Sequence, residues 1–297
     1  MLILNEEKYA ENLYLGKNDD VKAVSAKVRY ITRYNLYVLG QDDDSNYQTT
    51  VMWMSKNHDN FDESCYANLV ADAVKKAHKF PFYNIDKIVV TKSELEKISS
   101  LNNLRAEKVL FVLLCMAKHQ KASIGFTNGL VKYSITALCK MARISVPADE
   151  REYILHRIVQ AGLLGYPKKN DTQCLIVNFI GDDDVALELD ETDCKELAYV
   201  YLNWKDNGVG YTRCECCGRL TRKYKKNKTR FCEECSIGIG DVLDDQKIIL
   251  CVDCNKPVLV SVYNNKTCRC TYCQENVDIK LNREASRERM QRYRFNK

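Results

Sequence analysis

The sequence contains no apolar run long enough to cross a bilayer. The longest candidate, Val109 to Ala117, falls far short of the roughly 20 residues a spanning helix requires, and it carries helical periodicity instead. The first residues, Met1-Leu2-Ile3-Leu4-Asn5-Glu6-Glu7-Lys8, lack a basic segment and a cleavage site. No signal peptide is read there, and a cytosolic location without membrane partners is expected. Repeats at solenoid periods and low-complexity stretches are missing, which excludes a repeat array. So are a phosphate-binding glycine loop, a nucleophile elbow and an H-x-x-x-H pair; the expectation is a protein without catalytic activity. The acidic runs Asp42-Asp43-Asp44 and Asp182-Asp183-Asp184 could imitate a two-metal nuclease site, but each lies near glycine and reads as a loop.

What is present is a globular composition. With 297 residues and 45% hydrophobic content, the chain can bury a sizeable core across two or three modules. It has 15 cysteines. In a reducing compartment, clustered cysteines bind metal more often than they form disulfides. Cys65, Cys115, Cys139, Cys174 and Cys194 are scattered singly and read as small buried hydrophobes, while the other ten follow Tyr211. Charge is uneven in the same way. From Tyr211 onward there are 19 Lys and Arg against 11 Asp and Glu, whereas the rest of the chain holds 26 against 29. Eight thiolates and two divalent ions would trim the C-terminal surplus to about +4, a modest attraction for an acidic partner.

Residues 1–90 read as a helical region. Glu6 to Leu15 is amphipathic, and in Val21 to Leu39 the residues Val24, Val28, Ile31, Leu36 and Leu39 recur at helical spacing. An acidic loop from Gly40 to Asn46 interrupts the pattern, and a further helix from Ser64 to Lys79 ends at Phe80-Pro81.

Residues 91–181 open with Thr91-Lys92-Ser93-Glu94, the capping-box pattern. A helix from Leu104 to His119 follows, then a short helix from Ser134 to Ala142 and a tight turn at Arg143-Ile144-Ser145. A third helix from Pro147 to Ala161 is stopped by Gly162. Leu163 to Tyr166 and Cys174 to Phe179 then flank the polar turn Lys168 to Asp171 as a β-hairpin. This is the order of a winged helix-turn-helix, a fold that reads DNA or contacts protein. Arg143, Arg151, Arg157, Lys168 and Lys169 could meet DNA, yet Asp149, Glu150 and Glu152 at the start of the third helix repel a phosphate backbone. Residues 182–210 read as a connector with a strand, Val185 to Leu189, and a helix, Cys194 to Trp204.

The cysteines carry the strongest signal. Cys214-Glu215-Cys216-Cys217-Gly218 pairs with Cys232-Glu233-Glu234-Cys235 within residues 211–240. Cys251-Val252-Asp253-Cys254 pairs with Cys270-Thr271-Tyr272-Cys273 within residues 247–297. Two C-x₂-C pairs separated by about one hairpin are the spacing of a zinc ribbon. The ligands read as Cys214, Cys217, Cys232 and Cys235 for one ion and Cys251, Cys254, Cys270 and Cys273 for the other. Cys216 is an extra thiol, and Cys268 could replace Cys270. His58, His78, His119 and His156 all lie upstream, so both sites are closed sets of four thiolates, which hold structural Zn²⁺. The expected architecture is therefore an α+β multidomain chain: a helical N-terminal region, a winged helix-turn-helix, and two C-terminal zinc ribbons.

Between the two halves of the first ribbon lie Arg219, Arg222, Lys223, Tyr224, Lys225, Lys226, Lys228, Arg230 and Phe231. Basic side chains interleaved with aromatics suit phosphate contacts and base stacking. The C-terminal helix that follows the second ribbon carries Arg287, Arg289, Arg292 and Arg294. It could lie along a nucleic acid, or simply pair its glutamates and arginines in solvent.

This order of helical region, winged helix and C-x₂-C-G ribbon with a basic hairpin resembles proteins of phages and integrated elements of Gram-positive bacteria. Thr229-Arg230-Phe231-Cys232-Glu233-Glu234-Cys235 and Arg289-Met290-Gln291-Arg292-Tyr293-Arg294 are the segments most alike. The resemblance implies a mobile-element origin. Two functions stay open: a nucleic-acid-binding accessory protein of transcription, replication or recombination, with DNA favoured over RNA, or a protein-binding module that captures a host or phage polymerase, recombinase or defence complex.

Overall fold

A computed structural model describes residues 2–16, 23–58, 61–125, 129–167, 174–223, 231–232, 235, 246–263, 268–270, 272–274 and 276–278. These residues mix helices with small antiparallel sheets, and no helix among them is long and apolar enough to cross a membrane. The chain divides into two compact units, Met1–Tyr201 and Leu202–Lys297.

The first unit begins with four helices: α1 (Glu6–Tyr14), α2 (Val24–Tyr37), α3 (Asp43–Asn57) and α4 (Glu63–Ala77). Leu13, Val28, Ile31, Met54 and Val70 form their shared core. Helix α3 corrects the sequence reading of an acidic loop. The Asp42 carboxylate accepts from the Ser45 N–H as the N-cap, and Asp43 and Asp44 occupy the first turn, where negative charge complements the helix dipole. The apolar pattern is weak because the face turned inward includes polar Asn46 and Thr50, both fully buried. The Asn35 amide of α2 donates to Asn46 Oδ1 at 3.2 Å and to Thr50 Oγ1 at 3.1 Å, and Asn46 donates to the Thr32 carbonyl at 2.9 Å. Hydrogen bonding makes that burial tolerable.

Four of the five scattered cysteines are buried as expected; Cys65 is exposed, because it lies on the face of α4 opposite Val74.

The rest of the unit is built on α6 (Leu104–Ile124), whose residues Leu110 to Cys115 are all fully buried. The unit also contains β1 (Ile88–Thr91), α5 (Lys92–Ser99), β2 (Leu130–Lys132), α7 (Ile135–Met141), α8 (Ala148–Gln160), β3 (Leu164–Gly165), β4 (Cys174–Val177), β5 (Val185–Leu189) and the first residues of α9 (Leu197–Lys205). A short 3₁₀ turn at Asp193–Lys195 precedes α9. The Thr91 hydroxyl accepts from the Glu94 N–H while the Glu94 carboxylate accepts from the Thr91 N–H, so the capping box forms as read. Ser134 sits at the start of α7, but its side chain makes no capping hydrogen bond.

Strands β3 and β4 pair antiparallel as expected, although the turn holding Lys168, Lys169, Asn170 and Asp171 lies outside the described residues. The structure adds two strands that the sequence pattern did not reveal. Strand β2 joins the sheet in the order β2-β4-β3, and β1 pairs with β5. Both additions are short and pair only with distant partners, so they carry little local signal.

Candidate metal centres

The second unit contains two hairpins whose strands end at cysteines. Strands β6 (Tyr211–Arg213) and β7 (Leu220–Arg222) pair antiparallel around Cys214 to Arg219. Strands β8 (Gln246–Leu250) and β9 (Pro257–Ser261) do the same around Cys251 to Lys256.

The two turns share one backbone pattern. In the first, the Gly218 N–H donates to the Cys214 carbonyl at 2.8 Å and the Cys214 N–H to the Arg219 carbonyl at 2.8 Å. In the second, the Asn255 N–H donates to the Cys251 carbonyl at 2.9 Å and the Cys251 N–H to the Lys256 carbonyl at 2.8 Å. The residue after the second cysteine must take a left-handed conformation. Gly218 does so at φ 73° and Asn255 at φ 56°. Asn is one of the few side-chain-bearing residues that tolerate this region. Asn255 is thus a turn-shaping position that sequence reasoning passed over, although a C-x₂-C-N string beside a C-x₂-C-G string was its signal.

Each turn brings two sulfurs together, and a later segment supplies two more. The sulfurs of Cys214, Cys217, Cys232 and Cys235 all lie within 4.8 Å of one another, as do those of Cys251, Cys254, Cys270 and Cys273. Cys217 Sγ and Cys232 Sγ are 3.6 Å apart, and so are Cys254 Sγ and Cys270 Sγ. A disulfide is about 2.05 Å. Four ligands about 2.3 Å from one tetrahedral ion would stand about 3.8 Å from each other, so both sets have the size of a four-thiolate metal site. The selection of Cys270 over Cys268 is therefore geometric. In the second set the Arg269 guanidinium pairs with the Asp253 carboxylate at 2.5 Å, joining the two halves beside their ligands.

The environment prepares one thiolate in each set. Burial opposes ionisation of Cys214, but backbone N–H groups of Cys232, Cys217 and Cys216 donate toward its sulfur and draw its pKa down to about 7. Cys251 is drawn down to about 6 despite burial, by N–H groups of Cys270, Asp253 and Cys254; the Cys270 N–H lies 3.3 Å from its sulfur. Cys217, Cys235, Cys254 and Cys273 shift the other way. Burial, helped by the Cys214 and Cys232 thiols, pushes Cys217 up to about 11. A divalent cation at the centre would reverse that preference and displace the protons.

The basic residues are only partly on view. Arg222 and Lys223 are exposed at the end of β7, and Arg219 is half-buried. Tyr224, Lys225, Lys226, Lys228, Arg230, Arg287, Arg289, Arg292 and Arg294 lie outside the described residues.

In the first unit, two of the arginines considered for DNA contact have partners within the fold. Arg143 makes a bidentate pair with Glu196 at 2.9 and 3.0 Å and lies over the Tyr199 ring, and the Arg151 Nε–H donates to the Val146 carbonyl. The run Asp182-Asp183-Asp184 closes the start of α5. The Asp183 carboxylate accepts from the Ser93 hydroxyl at 2.6 Å and the Ser93 N–H at 3.1 Å; the hydroxyl bond is the main reason its pKa falls to about 2.

No family model matches the chain, and neither does any curated protein or solved structure.

Proposed function

We propose that this chain is a nucleic-acid-binding accessory protein of a phage or mobile element, with a C-terminal unit held by two structural zinc ions. The observation that carries the reading is the pair of four-sulfur sets on matching turns, the first of which leads through exposed Arg222 and Lys223 into the most basic stretch of the chain. Four soft thiolates in tetrahedral spacing suit zinc, with iron as the alternative. A thiolate set of four fills a tetrahedral ion's coordination shell, which favours a structural role over a catalytic one. The order α6, β2, α7, α8, β3, β4 with the sheet β2-β4-β3 supports a winged helix in the first unit. A cytosolic location fits the abundance of thiols.

The test has two parts. Metal analysis of purified protein is expected to give close to two zinc ions per chain. A binding titration on duplex DNA at several salt concentrations is expected to show affinity falling steeply as salt rises. Absence of DNA binding at low salt overturns the nucleic-acid reading, whatever the metal content.

A second reading has its own support in the first unit. Asp149 and Glu150 open α8, and Arg143 and Arg151 are engaged by protein groups. That surface suits a protein partner, such as a component of a host or phage nucleic-acid machine, better than a phosphate backbone.

A further inference from the structure

The two four-cysteine sets are not separate in the structure. Ile248 and Leu250 of β8 pack against the first set, in a cluster built on Cys214, Phe231 and Cys232. Leu250 is followed directly by Cys251, the first sulfur of the second set. A second link runs through the spare thiol. The Cys216 Sγ–H donates to the Asn255 carbonyl at 2.8 Å, and Asn255 is the left-handed residue that shapes the second turn. Cys216 itself packs among the first set. One strand and one side chain thus fix the position of each turn against the other. A thiol that gives its proton to a carbonyl is also poorly placed to serve as a fifth anionic ligand, which accounts for Cys216 without making it part of the coordination sphere.

From this we infer that the two metal sites bind cooperatively, with Cys216 acting as a positioning residue between them. The inference rests on the metal-binding reading above and adds to it. The physical reason is ordering entropy. A hairpin with so little core does not hold its turn without metal. The first ion orders Cys214 to Cys217 and the surface on which Ile248 and Leu250 rest. The second turn then starts from a strand already in place, so its ion meets a smaller ordering cost. Linkage makes the effect reciprocal: whatever factor the second site contributes to the first, the first contributes to the second.

The experiment uses the full-length metal-free chain titrated with Co²⁺, whose thiolate charge-transfer and ligand-field bands report tetrahedral sulfur coordination, with a competing chelator to set the affinity. Wild type is expected to take up two ions in one steep phase. Cys254→Ser, which disables the second site but leaves Ile248, Leu250 and Asn255 untouched, is expected to weaken the remaining site at least about tenfold, within the usual range of coupling. Cys217→Ser is expected to weaken the second site by a matching factor. Cys216→Ala is expected to fill both sites in two resolvable phases, while Cys216→Ser, which keeps a donor to the Asn255 carbonyl, retains the steep one. Two independent phases in wild type, or a residual site in Cys254→Ser within about twofold of its wild-type affinity, overturns the cooperativity but leaves the metal reading standing. Loss of one ion's uptake in both Cys216 variants overturns the positioning role, because Cys216 would then be a ligand. Failure of wild type to take up any ion overturns both inferences together.

Discussion

The Lys118 ammonium of α6 lies 2.8 Å from the carboxylate of Glu94, which is fully buried in α5. The same carboxylate accepts from the N–H groups of Thr91 at 2.9 Å and Gly181 at 2.8 Å. Three stretches far apart in sequence therefore converge on one negative charge. Removing the Lys118 ammonium leaves that charge buried and under-compensated, so Lys118→Met is expected to destabilise the first unit by about 3–5 kcal/mol. Urea denaturation followed by circular dichroism measures it. Adding Glu94→Leu to Lys118→Met should recover part of the loss; a double variant as unstable as the sum of the singles contradicts the pairing.

Gly129 allows the β2 strand to enter its sheet. It sits at φ 68°, and a Cβ there would meet the Val177 carbonyl oxygen at 2.4 Å. Its own carbonyl accepts from the Val177 N–H at 2.9 Å, so the close approach belongs to the strand pairing itself. Gly129→Ala is expected to cost roughly 2–4 kcal/mol from combined backbone strain and overlap. Gly125→Ala, also at positive φ but with open space around its Cβ, is expected to cost less in the same denaturation assay.

His119 gives the first unit a pH dependence. Burial holds its imidazole below the ordinary 6.5, although its Nε2–H donates to the Ile3 carbonyl at 2.7 Å and that bond favours the charged form. A histidine whose folded-state pKa is depressed takes up its proton more readily when unfolded. Its contribution to stability is therefore present above about pH 6.5 and declines as pH falls below it. Denaturation midpoints measured on either side of that pH should fall more in wild type than in His119→Gln. Equal declines in the two proteins would rule the residue out.

The cysteine sites should respond to acid more sharply. Bound metal requires thiolates, and Cys251 and Cys214, the most acidic thiols among those with lowered pKa, reach only about 6 and about 7 without metal. Protons therefore compete with the ion, and metal is expected to be released progressively as pH drops below about 6. A chromophoric chelator follows the release. Metal retained through strongly acid solution would contradict thiolate coordination.

If the basic stretch after β7 grips nucleic acid as proposed, replacing Arg222, Lys223, Lys225 and Lys226 with Ala removes several phosphate contacts at once. Each contact contributes nearly one unit of slope in log affinity against log salt, so the slope is expected to become shallower by about two to four units. Arg151→Ala and Arg157→Ala should matter less, given the acidic first turn of α8. Zinc content is checked first, and unchanged DNA affinity in the four-residue variant removes the hairpin as the binding surface.

Much of this molecule is legible from local rules. The cysteine spacing identified the eight sulfurs that the structure gathers into two sets, because a C-x₂-C turn is a short-range object whose geometry its own residues dictate. Capping signals did the same for Thr91 and Glu94, and apolar spacing for α1, α2 and α6. Helix α3 escaped because its buried face includes Asn46 and Thr50, whose place inside is justified by hydrogen bonds to Asn35 and Thr32 across the interface.

Tertiary structure decided what depends on partners distant in sequence. Strand β1 exists because β5 lies beside it, and Asp183 is a closing group for α5 because the chain returns to Ser93. The spacing of cysteines defined two four-cysteine sets but carried no information on whether they touch. The thiol of Cys216 reaching the carbonyl of Asn255, and Ile248 and Leu250 covering the first sulfur set, are consequences of packing between hairpins. The sequence by itself marked the eight sulfurs, since each C-x₂-C pair is a local signal; the fold decided how the two sets meet, since that depends on which surfaces pack together.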